Sequence, residues 1–411
     1  MTTINRKTLI FSFFLMIFPL SIIGNIASAF DYTIISYLKY SRGTAYTLSF
    51  IYYIFFFQYY LTLSNHSGKK GLLIFSVANL IILIFIIQII YHYDISGYTS
   101  IDNPDKVSSI KYNIPVIISY GAMLCIGIHY TMFLNDKGKK IAIFWFISSI
   151  FILINTNYTY WSLNFSEMQN PSDRSFTLAM SDCYAILSLS LYFYFRKLSK
   201  LSFLLYVFIS ILCLFFISSR TALIAFTLAI TFSEILSIKS KPSNIIIFII
   251  CFFGLSLIYF YLQDTATGYS SRLFSISEED TSISGRRNML NIGLNAISNN
   301  IFIGDFAGQV KIAGDGLGAR WGGYMHNILS FFRQGGVIVF ALVVIILINS
   351  FTTLYQIVKR NLLSSLFGVI LYIIVVSLFS RSYVYPWIFL LAGINISYIL
   401  DSKGTQTKST L

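Results

Sequence analysis

The sequence predicts an all-α, polytopic integral membrane protein of about twelve transmembrane helices, and three observations carry that reading. Charged residues make up only 11% of the 411 residues, where a soluble domain carries about 25%. Apolar runs recur along the whole length, each long enough to cross ~30 Å of hydrocarbon as a helix. Lysines fall in alternate connecting loops, the pattern by which a membrane chain records which side each loop faces. Helices are required because they satisfy their own backbone in lipid, and the two-residue alternation of a membrane β-strand is absent from the sequence.

The spans fall at about 8–28, 44–63, 71–93, 112–134, 141–157, 175–195, 201–219, 221–237, 244–263, 337–357, 361–380 and 383–400. The first mimics a secretion signal, with Arg6 and Lys7 before an apolar run that ends in Ala27-Ser28-Ala29. Its span length, and the spans that follow it, favour an uncleaved first helix. With the N-terminus inside, alternation places Lys69-Lys70, Lys137/Lys139/Lys140, Lys197/Lys200, Lys239/Lys241, Lys359 and Lys403/Lys408 all on the inner side. The chain then reads as a single membrane domain, 1–411, with both ends inside. One large outer loop, 264–336, carries short helices over the bundle. A connection of that length is usually functional.

The same bookkeeping separates arginine from lysine. The inner side holds thirteen Lys and three Arg, the outer side nine Arg and four Lys. Topology does not ask for arginine on the translocated face. A guanidinium presents a planar, permanently charged fork suited to phosphate, so the outer arginine cluster points to an anionic ligand at that membrane surface, while the positive-inside rule accounts for much of the lysine in a net charge of +13 that in a soluble protein would suggest nucleic acid. The competing reading, arginines snorkelling to lipid headgroups, suits Arg42 and Arg381 better than the loop arginines.

Within the outer region, Ser218-Ser219-Arg220-Thr221 sits at the junction of two apolar runs. Ser284-Gly285-Arg286-Arg287 opens a helix-period segment marked by Met289, Ile292, Gly293, Ala296 and Ile297. Gly314–Gly318 reads as a hinge, because no strand precedes it. His326 is the one histidine of the outer region, and its ordinary pKa of about 6.5 makes it the natural general base. Asn327 either orients it or caps the next helix. The four cysteines lie in apolar runs as small buried residues. No His/Cys/Asp/Glu cluster has ligand spacing, so no metal and no cofactor is expected. Asp182 is the acid well inside a span, either functional or satisfied by a neighbouring Ser or Tyr.

Taken together, these pieces resemble the O-antigen ligase/polymerase superfamily. Those that match are Ser219-Arg220-Thr221, Ser284-Gly285-Arg286 with Gly293 seven residues on, Asn300-Ile301-Phe302-Ile303-Gly304, Tyr324-Met325-His326-Asn327 and Gly335-Gly336. Their order around the large outer loop matches as well. The resemblance covers about residues 200–360. Leu290 stands where the family often has an aromatic residue, and Ile301 where it often has proline. The first departure leaves Arg286 and Arg287 as rivals for one role, and the spacing to Gly293 favours Arg286.

The resemblance implies an inverting, metal-independent membrane glycosyltransferase in the bacterial inner membrane, with its site facing the periplasm. The implied donor is an undecaprenyl-diphosphate-linked oligosaccharide. His326 would serve as base, and Arg220, Arg286 and Arg287 as diphosphate ligands. Arg174, Arg320, Tyr324 and Asn327 are supporting candidates. Repeat-unit polymerase is favoured over ligation to lipid A-core by the Tyr-x-His-Asn-Ile-Leu-Ser pattern and the Phe/Tyr/Ile/Asn/Ser-rich composition. Expected partners are the lipid-linked glycan, membrane lipid and a chain-length regulator protein. A flippase would need charge inside the bundle, and a purely structural subunit would not need the outer arginines.

Overall fold

The computed structural model describes residues 3–29, 32–98, 106–157, 162–163, 174–236, 281–311, 321, 325–360 and 365–409. The span expected at 244–263 lies outside them. The described part is a helical bundle. Five of its helical segments are long and apolar enough to cross a membrane: Arg6–Ser28, Lys69–Tyr91, Ser109–Ile128, Thr177–Lys197 and Leu329–Lys359. Shorter apolar helices lie beside them at Lys200–Phe216, Ser365–Phe379 and Trp387–Ser402.

Several expected spans are built from two pieces. Helix α1 (Thr3–Leu15) runs through a π turn at Met16–Leu20 into α2 (Ser21–Ala29). Pro19 sits in that turn, where its missing N–H leaves a helical hydrogen bond unmade and favours a wider turn. A short helix, α3 (Thr33–Ser36), leads to α4 (Ser41–Phe55), which breaks at Phe56 before α5 (Phe57–His66). Next come α6 (Lys69–Tyr91) and a small hairpin of β1 (Ser96–Tyr98) with β2 (Lys106–Ser108). The Ser108 hydroxyl accepts from the Lys111 amide and caps α7 (Ser109–Ile128). A break at His129 separates α7 from α8 (Tyr130–Asp136), and α9 (Gly138–Ile154) follows.

Helix α10 (Arg174–Lys197) crosses the bundle, and Ser199 caps α11 (Lys200–Phe216). Next is α12 (Arg220–Leu236), then in the loop region α13 (Thr281–Asn299) and the single turn α14 (Gly308–Lys311). The last helices are α15 (Leu329–Lys359), α16 (Ser365–Phe379) and α17 (Trp387–Ser409). Residues Ile388–Leu391 of α17 are all essentially inaccessible. A helix apolar all round belongs at the centre, and α17 packs there against α7. Gly127 and Gly393 let the two backbones meet, as small residues do between membrane helices.

Two joints hold the loop region on the bundle. In the first, the turn at Ile301–Gly304 closes on Gly335–Gly336. The Asp305 amide donates to the Arg333 carbonyl (2.5 Å) and the Val337 amide to the Ile301 carbonyl (2.8 Å). Gly304 has φ +81° and Gly336 φ +69°, backbone that favours glycine. A Cβ at Gly336 would overlap the Phe302 carbonyl. The non-helical Gly336 splits α15, so its apolar part starts at Val337, where the span was expected. In the second joint, the Trp321 ring lies on Tyr112 (5.0 Å between centroids). Its backbone amide donates to the Tyr98 carbonyl and its indole to the Val107 carbonyl.

The inner part of the bundle contains ionised groups that hydropathy hides. Asp182 on α10 is fully buried and accepts four hydrogen bonds. Arg381 donates through Nε to Oδ2 (2.6 Å) and Nη2 to Oδ1 (2.7 Å). The Tyr372 hydroxyl donates to Oδ1 (2.6 Å) and the Trp387 indole to Oδ2 (2.8 Å). This corrects the expectation that Arg381 snorkels to headgroups: it is 2% exposed, and a buried carboxylate holds it more strongly than interfacial water would. Glu234 is a second buried acid, bonded by the Tyr192 hydroxyl and paired with Arg196 at 3.1 Å. At the same end of the bundle as this second pair, a cavity of about 830 Å³ is lined by Lys137, Lys139, Lys140, Lys197, Ser365 and Asp401. Lysine alternation assigns all these segments to one side.

Breaking the Asp182–Arg381 pair should be costly. Asp182→Ala leaves a buried guanidinium without its carboxylate, and a loss of about 3–5 kcal/mol is expected. The double variant Asp182→Leu/Arg381→Met should recover part of it. Thermal unfolding of the purified protein in detergent reads both. Gly336→Ala should cost more than 2 kcal/mol, combining left-handed backbone strain with a clash against main chain. Gly285→Ala, where nothing lies within 4 Å, is the matched control.

Candidate functional site

The site forms where the loop region meets the ends of α4, α10, α12 and α16. His326 sits just before α15. Its placement is local chemistry: the Leu329 amide donates to Oδ1 of Asn327 (3.1 Å), and the Ser330 amide to the Asn327 carbonyl (3.1 Å). Asn327 thus precedes the N-cap residue Ile328 and bonds the first amide of the next helix, close to one of the two roles expected for it, and this turn fixes the direction in which His326 leaves the chain.

Helix α13 brings an arginine to that histidine. The bare face at Gly293 admits the Met325 side chain, which a Cβ would displace. Seven residues is two helical turns, so Arg286 lies on the same face as Gly293, while Arg287 is rotated by about 100°. Arg286 is the α13 arginine whose field reaches His326 and Tyr385. Both Arg286 and Arg287 are exposed.

Burial, then the positive charges of Arg286 and Arg381, push the His326 pKa down to about 4. The ring is therefore neutral at pH 7. Its Nδ1 is buried and has no hydrogen-bond partner among the described residues. Such an orphan nitrogen is costly unless a ligand supplies its partner.

Arg220 opens α12 two residues after Ser218, which holds a positive φ of 60°. Its placement follows from helix register. Near the far end of α12, Ser233 lies beside Gly368 at the start of α16, so these packed helices are antiparallel. Arg220 is thirteen residues before Ser233 and Arg381 thirteen after Gly368. At 1.5 Å per residue both lie about 20 Å away from that contact, at the same end of the bundle. Arg320 and Tyr324 lie outside the described residues, as does the side chain of Arg174, whose backbone opens α10.

Three groups that the sequence reading left out of the site belong beside it. Arg381 reaches it from the buried pair. Tyr385 lies against Arg381, with the guanidinium carbon 5.4 Å from the ring centroid. Arg42, on the first turn of α4, is hydrogen-bonded to Cys183 and in the field of Tyr385. The sequence signal for Arg42 and Arg381 was the arginine excess on the outer side, which counted them without placing them, and nothing in the sequence singled out Tyr385. Among the described residues no three His, Cys, Asp or Glu side chains gather as a metal site, and the charge that collects is positive.

A family model described as O-antigen ligase matches residues 205–344. No curated protein and no solved structure matches the chain. The matched stretch contains Arg220, Arg286 and His326 and the glycine joint that seats them. The match over this domain supports the expected resemblance to the O-antigen ligase/polymerase superfamily.

Proposed function

We propose that the protein is a repeat-unit polymerase of the O-antigen type, acting in the inner membrane on undecaprenyl-diphosphate-linked oligosaccharides presented on the periplasmic side. The observation that carries the reading is the neutral His326, with an orphan Nδ1, set beside the guanidinium groups of Arg286 and Arg381. A hydroxyl acceptor would give that nitrogen its missing partner, and a diphosphate leaving group would meet fixed positive charge.

The step balances without a further reactant. The acceptor sugar's hydroxyl oxygen attacks the anomeric carbon of the donor from the face opposite the diphosphate, and its proton passes to His326. The bond from that carbon to the phosphate oxygen breaks, with inversion. The lipid diphosphate leaves with the electron pair, its growing charge stabilised by Arg286 and Arg220. Arginines already in place need no reorganisation as the charge develops. The Tyr-x-His-Asn-Ile-Leu-Ser pattern and the composition favour another lipid-linked repeat unit as acceptor. The family model's own description favours the second reading, ligation to lipid A-core. Turnover of a purified lipid-linked repeat unit, with and without lipid A-core, separates the two: longer lipid-linked chains without added core support polymerase, and product formed only with core supports ligase.

Two outcomes test the assigned roles. His326→Ala should lose ~10²–10⁴ in rate while still binding undecaprenyl diphosphate. Arg286→Ala should lose both binding and turnover, and Arg287→Ala much less of either. The pH profile adds a signed test. His326 must be neutral to accept a proton, so kcat/KM should fall on the acid side with a midpoint near pH 4. A bound diphosphate favours the protonated imidazole, so the acid limb of kcat should lie at higher pH than that of kcat/KM. An acid limb of kcat/KM at the ordinary histidine value of about 6.5, unchanged in kcat, would count against the assignment.

A further inference from the structure

The cavity of about 830 Å³ lies at the end of the bundle away from His326. Lys197 on α10 is fifteen residues past Asp182, and Tyr398 on α17 is eleven past Trp387. At 1.5 Å per residue, that sets the cavity roughly 20 Å from the buried pair. Its volume lies within the range of small-molecule pockets, about 300–1,000 Å³, and the proposed transfer makes no use of it. Its walls are stapled together. The Thr131 amide donates to the Ser397 hydroxyl (3.2 Å), and the two hydroxyls are bonded (2.8 Å). The Tyr130 hydroxyl meets that of Ser190 (2.6 Å), and the Phe193 amide donates to the Ser365 hydroxyl (3.0 Å). These bonds fix α8, α10, α16 and α17 around the space.

The rim is basic. Lys139 and Lys140, on the first turn of α9, are exposed and line it with Lys137. Lys197 lines it too, but already lies 4.9 Å from the Phe193 ring and complements the C-terminal end of α10. Lys137, Lys139 and Lys140 enter no ion pair among the described residues. Helix α9 starts at the cavity with no side-chain cap and no acid in its first turn. Such a start favours negative charge. On the floor, Tyr398 is 6% exposed, and its hydroxyl lies near the Arg360 guanidinium without completing a hydrogen bond. A buried hydroxyl in that state is costly unless a ligand supplies its partner. The positive-inside rule accounts for lysines in these loops. It does not require them to rim a cavity with an unsatisfied polar floor.

We propose that this cavity binds an anionic phospholipid of the inner leaflet. Lys139, Lys140 and the start of α9 hold the phosphodiester, and the Tyr398 hydroxyl donates to a lipid oxygen on the floor. Leu134, Phe193 and Leu366 supply apolar wall for the chains, and Asp136 offers an acceptor to a headgroup hydroxyl. Phosphatidylglycerol combines all of these features. Basic pockets between membrane helices at the cytoplasmic surface suit such headgroups. The leaflet follows from the lysine alternation, and the recognition does not depend on the proposed glycosyl transfer.

The test is native mass spectrometry of the purified full-length protein in detergent, titrated with dioleoylphosphatidylglycerol. That lipid should be retained in preference to dioleoylphosphatidylcholine, which has no net charge. Lys139→Gln/Lys140→Gln should weaken its binding about twenty- to thirty-fold, at about five-fold for each surface charge removed. Tyr398→Phe should weaken it about three- to ten-fold, the scale of one hydrogen bond. Lys69→Gln/Lys70→Gln removes an exposed inner pair that does not line the cavity, and should change little. Equal weakening by the two double variants would reduce the effect to general surface charge and overturn the proposal. So would equal retention of phosphatidylcholine, unchanged binding in the cavity variants, or no retention by the wild-type protein. Full displacement of the lipid by millimolar inorganic phosphate would make the ligand a free anion and overturn the lipid assignment. If Tyr398→Phe unfolds, the exposed lysine pair decides alone.

Discussion

The buried pair between Asp182 and Arg381 is the interaction on which the site end of this bundle depends. Neither charge would be stable alone in the interior, so each dictates the other's position across a sequence separation of 199. Meeting Asp182 draws the segment between α16 and α17 inward, where three further bonds hold it. The Tyr383 amide donates to the Ser330 hydroxyl (2.7 Å), the Tyr383 hydroxyl donates to Asn113 (3.1 Å), and the Tyr120 hydroxyl donates to the Tyr383 carbonyl. One ion pair thereby links α7, α10, α15, α16 and α17 at a single level. A hydrophobic cluster could supply as much stability. It could not fix a guanidinium next to His326.

The glycine joint does the corresponding work for the loop. Between two membrane helices, a long connection has little apolar surface of its own to bury, and the Ile301–Gly304 turn replaces that surface with main chain packed on main chain. Gln88 adds a hydrogen bond from α6 to the Ile303 carbonyl (3.1 Å). The buried Arg333 sits 3.8 Å from Asp305 at the same joint. The turn at Asn327 and the cradle for Met325 at Gly293 then translate a fixed backbone into a fixed separation between His326 and Arg286. The motif glycines are therefore structural, and their chemistry is exerted through the residues they position.

Much of this was legible in the sequence, for local reasons. Apolar runs report helices because lipid allows little else, and the helical period at Met289–Ile297 reports α13 because its register is internal to the segment. A seven-residue spacing is enough to set Arg286 on the same face of α13 as Gly293. What stayed hidden was pairing at long range. Hydropathy scores Arg381 as an interfacial charge, since nothing near it in the chain reveals a carboxylate on α10. Arg42 has the same difficulty, with its neighbours on α10 and beyond α16. Glu234 was absorbed into an apolar run whose end happens to meet Arg196. The kinks at Phe56 and His129 also escaped, because a break between two apolar helices leaves no trace in a window that averages across it.

These two classes of residue point to a division of labour within the fold. The stretch that matches the O-antigen ligase model, 205–344, contributes Arg220, Arg286 and His326, groups whose spacing is set locally by a helix start, a glycine face and a turn. Arg42, Asp182, Arg381 and Tyr385 all lie outside it, and their positions are set by packing between distant helices. Local geometry can be carried in a short motif, because each element determines its own register. The electrostatic setting cannot, because it depends on burying one carboxylate, Asp182, against an arginine from a distant helix end. A site assembled in this way needs both: groups held at fixed spacing by local elements, and a surrounding bundle that brings Asp182 and Arg381 together from distant helices.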